Sequence, residues 1–209
     1  MRVNRRTQEE RSTTTRAALL AAARPLFAAQ GFGAVGTEAI VRAAGVTRGA
    51  LYHQFADKTG LFAAVYEQVQ QELALRIAGQ LGGVTDPAEA LLAGIDAWLE
   101  AATEPDVQRI VLIEAPAVLG WERWRDAGQA SAIGLVEAVL GAAIAAGSIV
   151  EQPLRPLAHV LIGALDEAAL YIARADDADD ADAAREQMRT VLRALLSGLE
   201  PSEPGDGRG

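Results

Sequence analysis

Residues 37–61, TEAIVRAAGVTRGALYHQFADKTGL, leave the chain few choices. Ile40, Val41 and Ala44 fall at helical spacing and make one apolar stripe. Thr37 stands where its hydroxyl can cap the first turn. Gly45 ends that helix, because glycine adopts the left-handed cap conformation that other residues resist. Val46 plugs the corner, Thr47 caps a second helix, and Leu51 and Phe55, four apart, anchor it. Arg48, Gly49, Tyr52, His53 and Gln54 are left facing outward. Two helices joined through a glycine turn, the second short and polar outside, make a helix-turn-helix. Its second helix is sized for the DNA major groove. Asp57 caps the next helix and places Lys58 in its first turn. A cation there opposes the helix dipole, so Lys58 is expected to reach outward, to a phosphate.

The same residues carry a resemblance. Thr37, Ile40, Ala44-Gly45-Val46-Thr47, Gly49, Leu51-Tyr52, Phe55, Lys58 and Leu61 reproduce the pattern TxxI…AGV(S/T)xGxLYxxFxxKxxL. That pattern resembles the tetracycline-repressor (TetR) family over roughly residues 12–65. Val41 stands where the family more often has alanine. Beyond residue 65 the likeness is one of helical layout and length. The resemblance implies an all-α chain: an N-terminal three-helix helix-turn-helix domain and a C-terminal helical bundle for effector binding and dimerisation. It implies that Tyr52, His53 and Lys58 mainly contact phosphates; Gly49 allows close backbone approach to the sugar-phosphate chain, and Thr37 and Thr47 are further candidate DNA contacts. Arg48 is the first choice for reading base edges, since arginine pairs bidentately with guanine.

Charge is divided in the way such a partner needs. Residues 1–60 hold nine Lys/Arg against four Asp/Glu, net +5, and residues 61–209 hold ten against twenty-four, net −14. A basic module suits a polyanion, and an acidic remainder is repelled by it. The chain has no cysteine, which excludes disulfides and thiolate metal sites and fits a reducing cytoplasm. No apolar run reaches the roughly 20 residues that span a bilayer, and no signal-peptide core follows the basic start, so no membrane partner is expected.

Taken in order, residues 1–11, with Arg2, Arg5, Arg6 and Arg11, read as a flexible basic arm. Residues 12–30 form the first helix, capped by Thr14 or Thr15, with Leu19, Leu20, Ala23, Leu26 and Phe27 inward and a bend at Pro25. The reading domain is placed at 1–60 and the effector and dimerisation domain at 61–199, with 200–209 a disordered tail. Residues 58–81 form one long helix, broken by Gly82-Gly83, and Asp86-Pro87 opens the next, which carries Trp98. Residues 107–120, VQRIVLIEAPAVLG, read as a buried helix interrupted by Glu114 and kinked at Pro116. A carboxylate there either faces a ligand or pairs with an arginine such as Arg109 or Arg123. Trp98, Ile110, Glu114, Val118, Trp121 and Trp124 are the candidate effector contacts. The effector is expected to be apolar.

Residues 122–146 form a further helix, and 154–174 with 182–199 the last pair. Leu157, Leu161 and Leu165 on the first, and Val191 and Leu195 on the second, are the candidate dimer contacts, two copies making a four-helix interface. The acidic run 176–182 lacks the central glycine and closing glutamate of a calcium loop, so no metal is expected, and no cofactor. Only His53 and His159 are present, with no phosphate loop or nucleophile elbow, so nothing favours an enzyme. The expected function is transcriptional regulation: a homodimer on a pseudo-palindromic double-stranded operator, released by a small molecule. The alternatives are a DNA-binding architectural protein without effector, or an all-α enzyme.

Overall fold

A computed structural model describes the backbone of residues 2–175 and 177–201, with side chains from Gln8 onward. The side chains of Arg2, Arg5 and Arg6, Asp176 of the acidic run, and residues 202–209 of the tail lie outside the described residues. The described chain is helical throughout: α1 (Arg2–Ala34), α2 (Thr37–Ala44), α3 (Arg48–Gln54), α4 (Lys58–Leu81), α5 (Pro87–Ala101), a π-helix (Val107–Glu114), α6 (Ala115–Leu119), α7 (Trp121–Ala145), α8 (Leu154–Ile172) and α9 (Ala178–Ser197). Two compact units result. One joins residues 1–71 to 104–125, and the other joins 72–103 to 126–209.

In the first unit α1 begins before the expected Ser12. Residues 8–11 are helical, and the hydroxyls of Thr13 and Thr14 donate to the Glu9 and Glu10 carbonyls one turn back instead of capping. Pro25 keeps helical dihedrals; the one break inside α1 is Gly31, at φ 76 and ψ 162. Leu19, Ala23, Phe27, Leu61, Phe62 and Tyr66 are buried to 2% exposure or less and form the core. Phe27 and Phe32 each meet Phe62 nearly edge-on, with centroids 5.2 and 5.3 Å away, the geometry the ring quadrupoles favour.

The segment expected to be a kinked α-helix is instead a π-helix running into α6. The Ala115 N–H donates to the Ile110 carbonyl, five residues back, the π bond. Pro116 lies in the first turn of the short α6, where its missing N–H costs little. Trp124 seals this side: its indole N–H donates to the Val111 carbonyl, and its own carbonyl accepts from the Tyr66 hydroxyl.

In the second unit Asp86 caps α5, accepting from the Ala88 and Glu89 N–H groups, with Pro87 at the first position as expected. Leu91, Leu140, Ala143, Ile149 and Ala158 form the core, and Leu157, Leu161, Leu196 and Leu199 pack against it. The last helix starts at Ala178, capped by Asp177, so much of the acidic run is helical and not a loop. Asp179 and Asp180 then sit in its first turn, where the dipole favours them. Among the described residues one helix, α7, has the length and composition to cross a bilayer, although Glu137 interrupts its apolar run. Leu140 and Ala143 of α7 are fully buried in the unit's own core, while most of the helix is not.

Candidate functional site

The helix-turn-helix is built from caps. α2 is preceded by Gly36 at extended dihedrals with no side-chain cap; Thr37 is the first helical residue and not the cap. Gly45 takes φ 66 and ψ 29, and the N–H groups of Gly45 and Val46 return to the Arg42 and Val41 carbonyls. That left-handed ending reverses the chain in two residues. Thr47 then caps α3 by accepting from the Ala50 N–H at 3.2 Å. Leu51 is fully buried and Phe55 nearly so, with the Arg16 guanidinium 4.4 Å over the Phe55 ring. Pinning those two residues turns the opposite side of α3 to solvent: Arg48, Gly49, Tyr52 and His53 are exposed.

Arg48 lies 5.6 Å over the Tyr52 ring and 3.4 Å from the Glu38 carboxylate on α2. Tyr52 first, then Glu38, raise the pKa of a guanidinium that is charged in any case. The result is a planar cation held against an aromatic face at the surface. A Cβ at Gly49 would meet only Thr47 Oγ1, at 3.9 Å, so the chain's own packing does not demand glycine there.

Two side chains expected on this surface are committed inward. Gln54 donates to the Ser12 hydroxyl at 2.8 Å and ties α3 to α1. Lys58 does not reach outward. Its ammonium donates to the Phe32 and Val35 carbonyls at 2.8 and 3.0 Å and sits 4.1 Å over the Phe32 ring. The dipole of α4 disfavours a cation in its first turn. The end of α1, whose orphan carbonyls attract a cation, is equally near.

The candidate effector residues divide between the units. Ile110, Glu114, Val118, Trp121 and Trp124 belong to the first and Trp98 to the second. Ile110 is fully buried, Val118 half-buried, and Trp124 is fastened into the core as described. Trp121 is 57% exposed, 4.9 Å from Trp124 between centroids, with Arg125 at 6.0 Å over its ring. Glu114 pairs with Arg109 at 3.5 Å. The Trp98 indole N–H donates to the Leu165 carbonyl at 2.9 Å.

Of the candidate dimer contacts, Leu157 and Leu161 pack on their own core and Leu165 is half-buried. Val191 and Leu195 are 52% and 60% exposed. Val160 and Tyr171 on α8, at 69% and 45%, share that exposure and were not expected. Their spacing of eleven, three helical turns, was the available signal.

Comparison with known proteins agrees with this architecture. Residues 19–65 match "bacterial regulatory proteins, tetR family", and residues 88–199 match "tetracyclin repressor-like, C-terminal domain". The HTH-type transcriptional regulator AcrR of Shigella flexneri is 33% identical over 111 residues, 52% of this chain and 50% of that protein. The transposon Tn10 TetC protein of Escherichia coli is 30% identical over 118 residues, 56% of this chain and 59% of that protein. The chain thus matches between half and three-fifths of the length of these two curated relatives. A TetR-family transcriptional regulator from Pectobacterium atrosepticum, known by crystal structure, is 35% identical with a TM-score of 0.81. That match covers 92% of this chain and 97% of the other.

Proposed function

The chain belongs to the tetracycline-repressor family of transcriptional regulators, and on that premise we propose that it is a homodimeric repressor. It reads a pseudo-palindromic operator and leaves it when a small molecule binds. The observation that carries this reading is the surface of α3, where Leu51 and Phe55 are buried and Arg48, Gly49, Tyr52 and His53 are turned out. Arg48, already held beside Tyr52 and Glu38, loses little freedom when its fork meets a guanine edge. Gly49, which nothing inside the chain requires, suits close approach of a sugar-phosphate backbone. Thr37, Thr47, Tyr52 and His53 set the register on phosphates. Lys58, with its ammonium shared by two carbonyls, braces the reading head from behind.

Two such heads must meet successive major grooves about 34–36 Å apart. A second copy joined through the exposed α8 and α9 residues Val160, Tyr171, Val191 and Leu195 supplies the pair. An apolar small molecule that favours a body state with the heads wrongly spaced lowers operator affinity by the coupling free energy. Selection of bound duplexes from random DNA tests this. An enriched inverted repeat with half-site centres one or two helical turns apart is expected. Enrichment of no sequence, or of a single asymmetric site by a monomeric protein, refutes it.

A further inference from the structure

The first unit holds an ion pair that only a π-turn permits. Arg109 and Glu114 are five residues apart and 3.5 Å apart. In an α-helix, at about 100° per residue, positions i and i+5 stand about 140° apart around the axis and do not meet. A π-turn links i to i+5 and brings them to one side. The pair is therefore a signature of the register seen between Val107 and Glu114.

The pair is also seated on α1. Gly31 is buried, with φ 76 and ψ 162, a region essentially closed to residues with a Cβ. The space a Cβ would take there is filled by the Glu114 carboxylate, in outright collision, and by Arg109 Nη2 and Nε at 3.1 and 3.2 Å. Arg109 Nε is buried without a hydrogen-bond partner, 3.5 Å from the Glu114 carboxylate. The other end of the segment is tied to the same helix, since Asp106 caps the Val107 N–H and accepts from Arg24 Nε at 3.0 Å. A change of register between residues 106 and 114 cannot leave both ends seated. Immediately after Gly31 come the Phe32 and Val35 carbonyls that Lys58 grips, and then α2.

We propose that Glu114, held by Arg109 across the π-turn and seated on Gly31, is a positioning residue for the reading head: the register of 107–114 sets the direction in which α1 hands over to α2. This rests on the DNA-binding reading above and adds to it the device that aligns the head. The latched register is the operator-binding one, and its loss misplaces α2 and α3 without altering their own chemistry.

The test compares wild type, Gly31→Ala, Glu114→Ala and the double variant by fluorescence anisotropy, on a selected operator and on a scrambled duplex. Gly31→Ala is expected to lose operator affinity at least tenfold, with scrambled affinity within threefold of wild type. Glu114→Ala alone, which opens the same latch, is expected to lose operator affinity at least threefold, and adding Gly31→Ala to it should cost less than a further threefold, because the latch is already open. Equal Gly31→Ala penalties in the two backgrounds overturn the proposal. Should Gly31→Ala fail to fold, Arg109→Met serves. It is expected to lower operator affinity at least threefold, spare scrambled affinity and speed amide exchange across 107–115; no change in operator affinity overturns the latch. A wild-type chain that selects no duplex removes the DNA-binding reading and the latch together. A wild type that binds its duplex while the cycle shows no coupling removes the latch alone.

Discussion

Replacing Lys58 by methionine keeps the apolar stem and deletes the ammonium that joins α4 to the end of α1. The ammonium makes two hydrogen bonds, to the Phe32 and Val35 carbonyls at 2.8 and 3.0 Å. A hydrogen bond to a charged group contributes about 1.5–3 kcal/mol when shielded. These are part-buried, and water can reach the carbonyls once the cation is gone, so the lower value applies to the two together. The cation over the Phe32 ring at 4.1 Å adds about 0.5–1 kcal/mol. Attraction to the end of α1 is the same interaction counted another way and is not added. The expected loss is therefore about 2–2.5 kcal/mol, roughly 4–10 °C in Tm for a chain of this size. Urea unfolding at one fixed protein concentration measures it, because dimerisation would otherwise enter the result. A loss below about 0.5 kcal/mol, with DNA affinity falling uniformly across sequences and the salt slope dropping by about one, would refute the brace and return Lys58 to a phosphate.

Thr47→Ala removes the hydroxyl that caps α3; a loss of about 1 kcal/mol is expected in the same unfolding assay, with Thr47→Ser near neutral. Arg48→Ala should relax base preference at one position of each half-site by about 1–3 kcal/mol while Tyr52→Ala weakens all duplexes alike, as competition titrations against substituted operators would record. Val191→Glu with Leu195→Glu places like charges on the exposed face of α9; sedimentation should find monomers at concentrations where wild type is dimeric, with helical circular dichroism unchanged.

Local chemistry was legible in the sequence wherever a residue acts on its near neighbours. Gly45 as a left-handed stop, Thr47 and Asp86 as caps, and the inward pair Leu51 and Phe55 follow from steric rules and a 3.6-residue period. With them came the outward side of α3 and the all-helical class. Tertiary contact decided the rest, because it matches groups that are distant in sequence and carry no local mark. The cation at Lys58 chose carbonyls twenty-six and twenty-three residues away over solvent. Gln54 found Ser12, forty-two residues back. Residues 107–114 took a π register that the apolar pattern does not distinguish from α, and the carboxylate it presents meets a glycine of another helix that no local pattern announces. Which leucines of α8 cover their own core and which side chains stay bare was likewise decided by the neighbours: a stripe states that a helix has an apolar side, and packing states against what it lies.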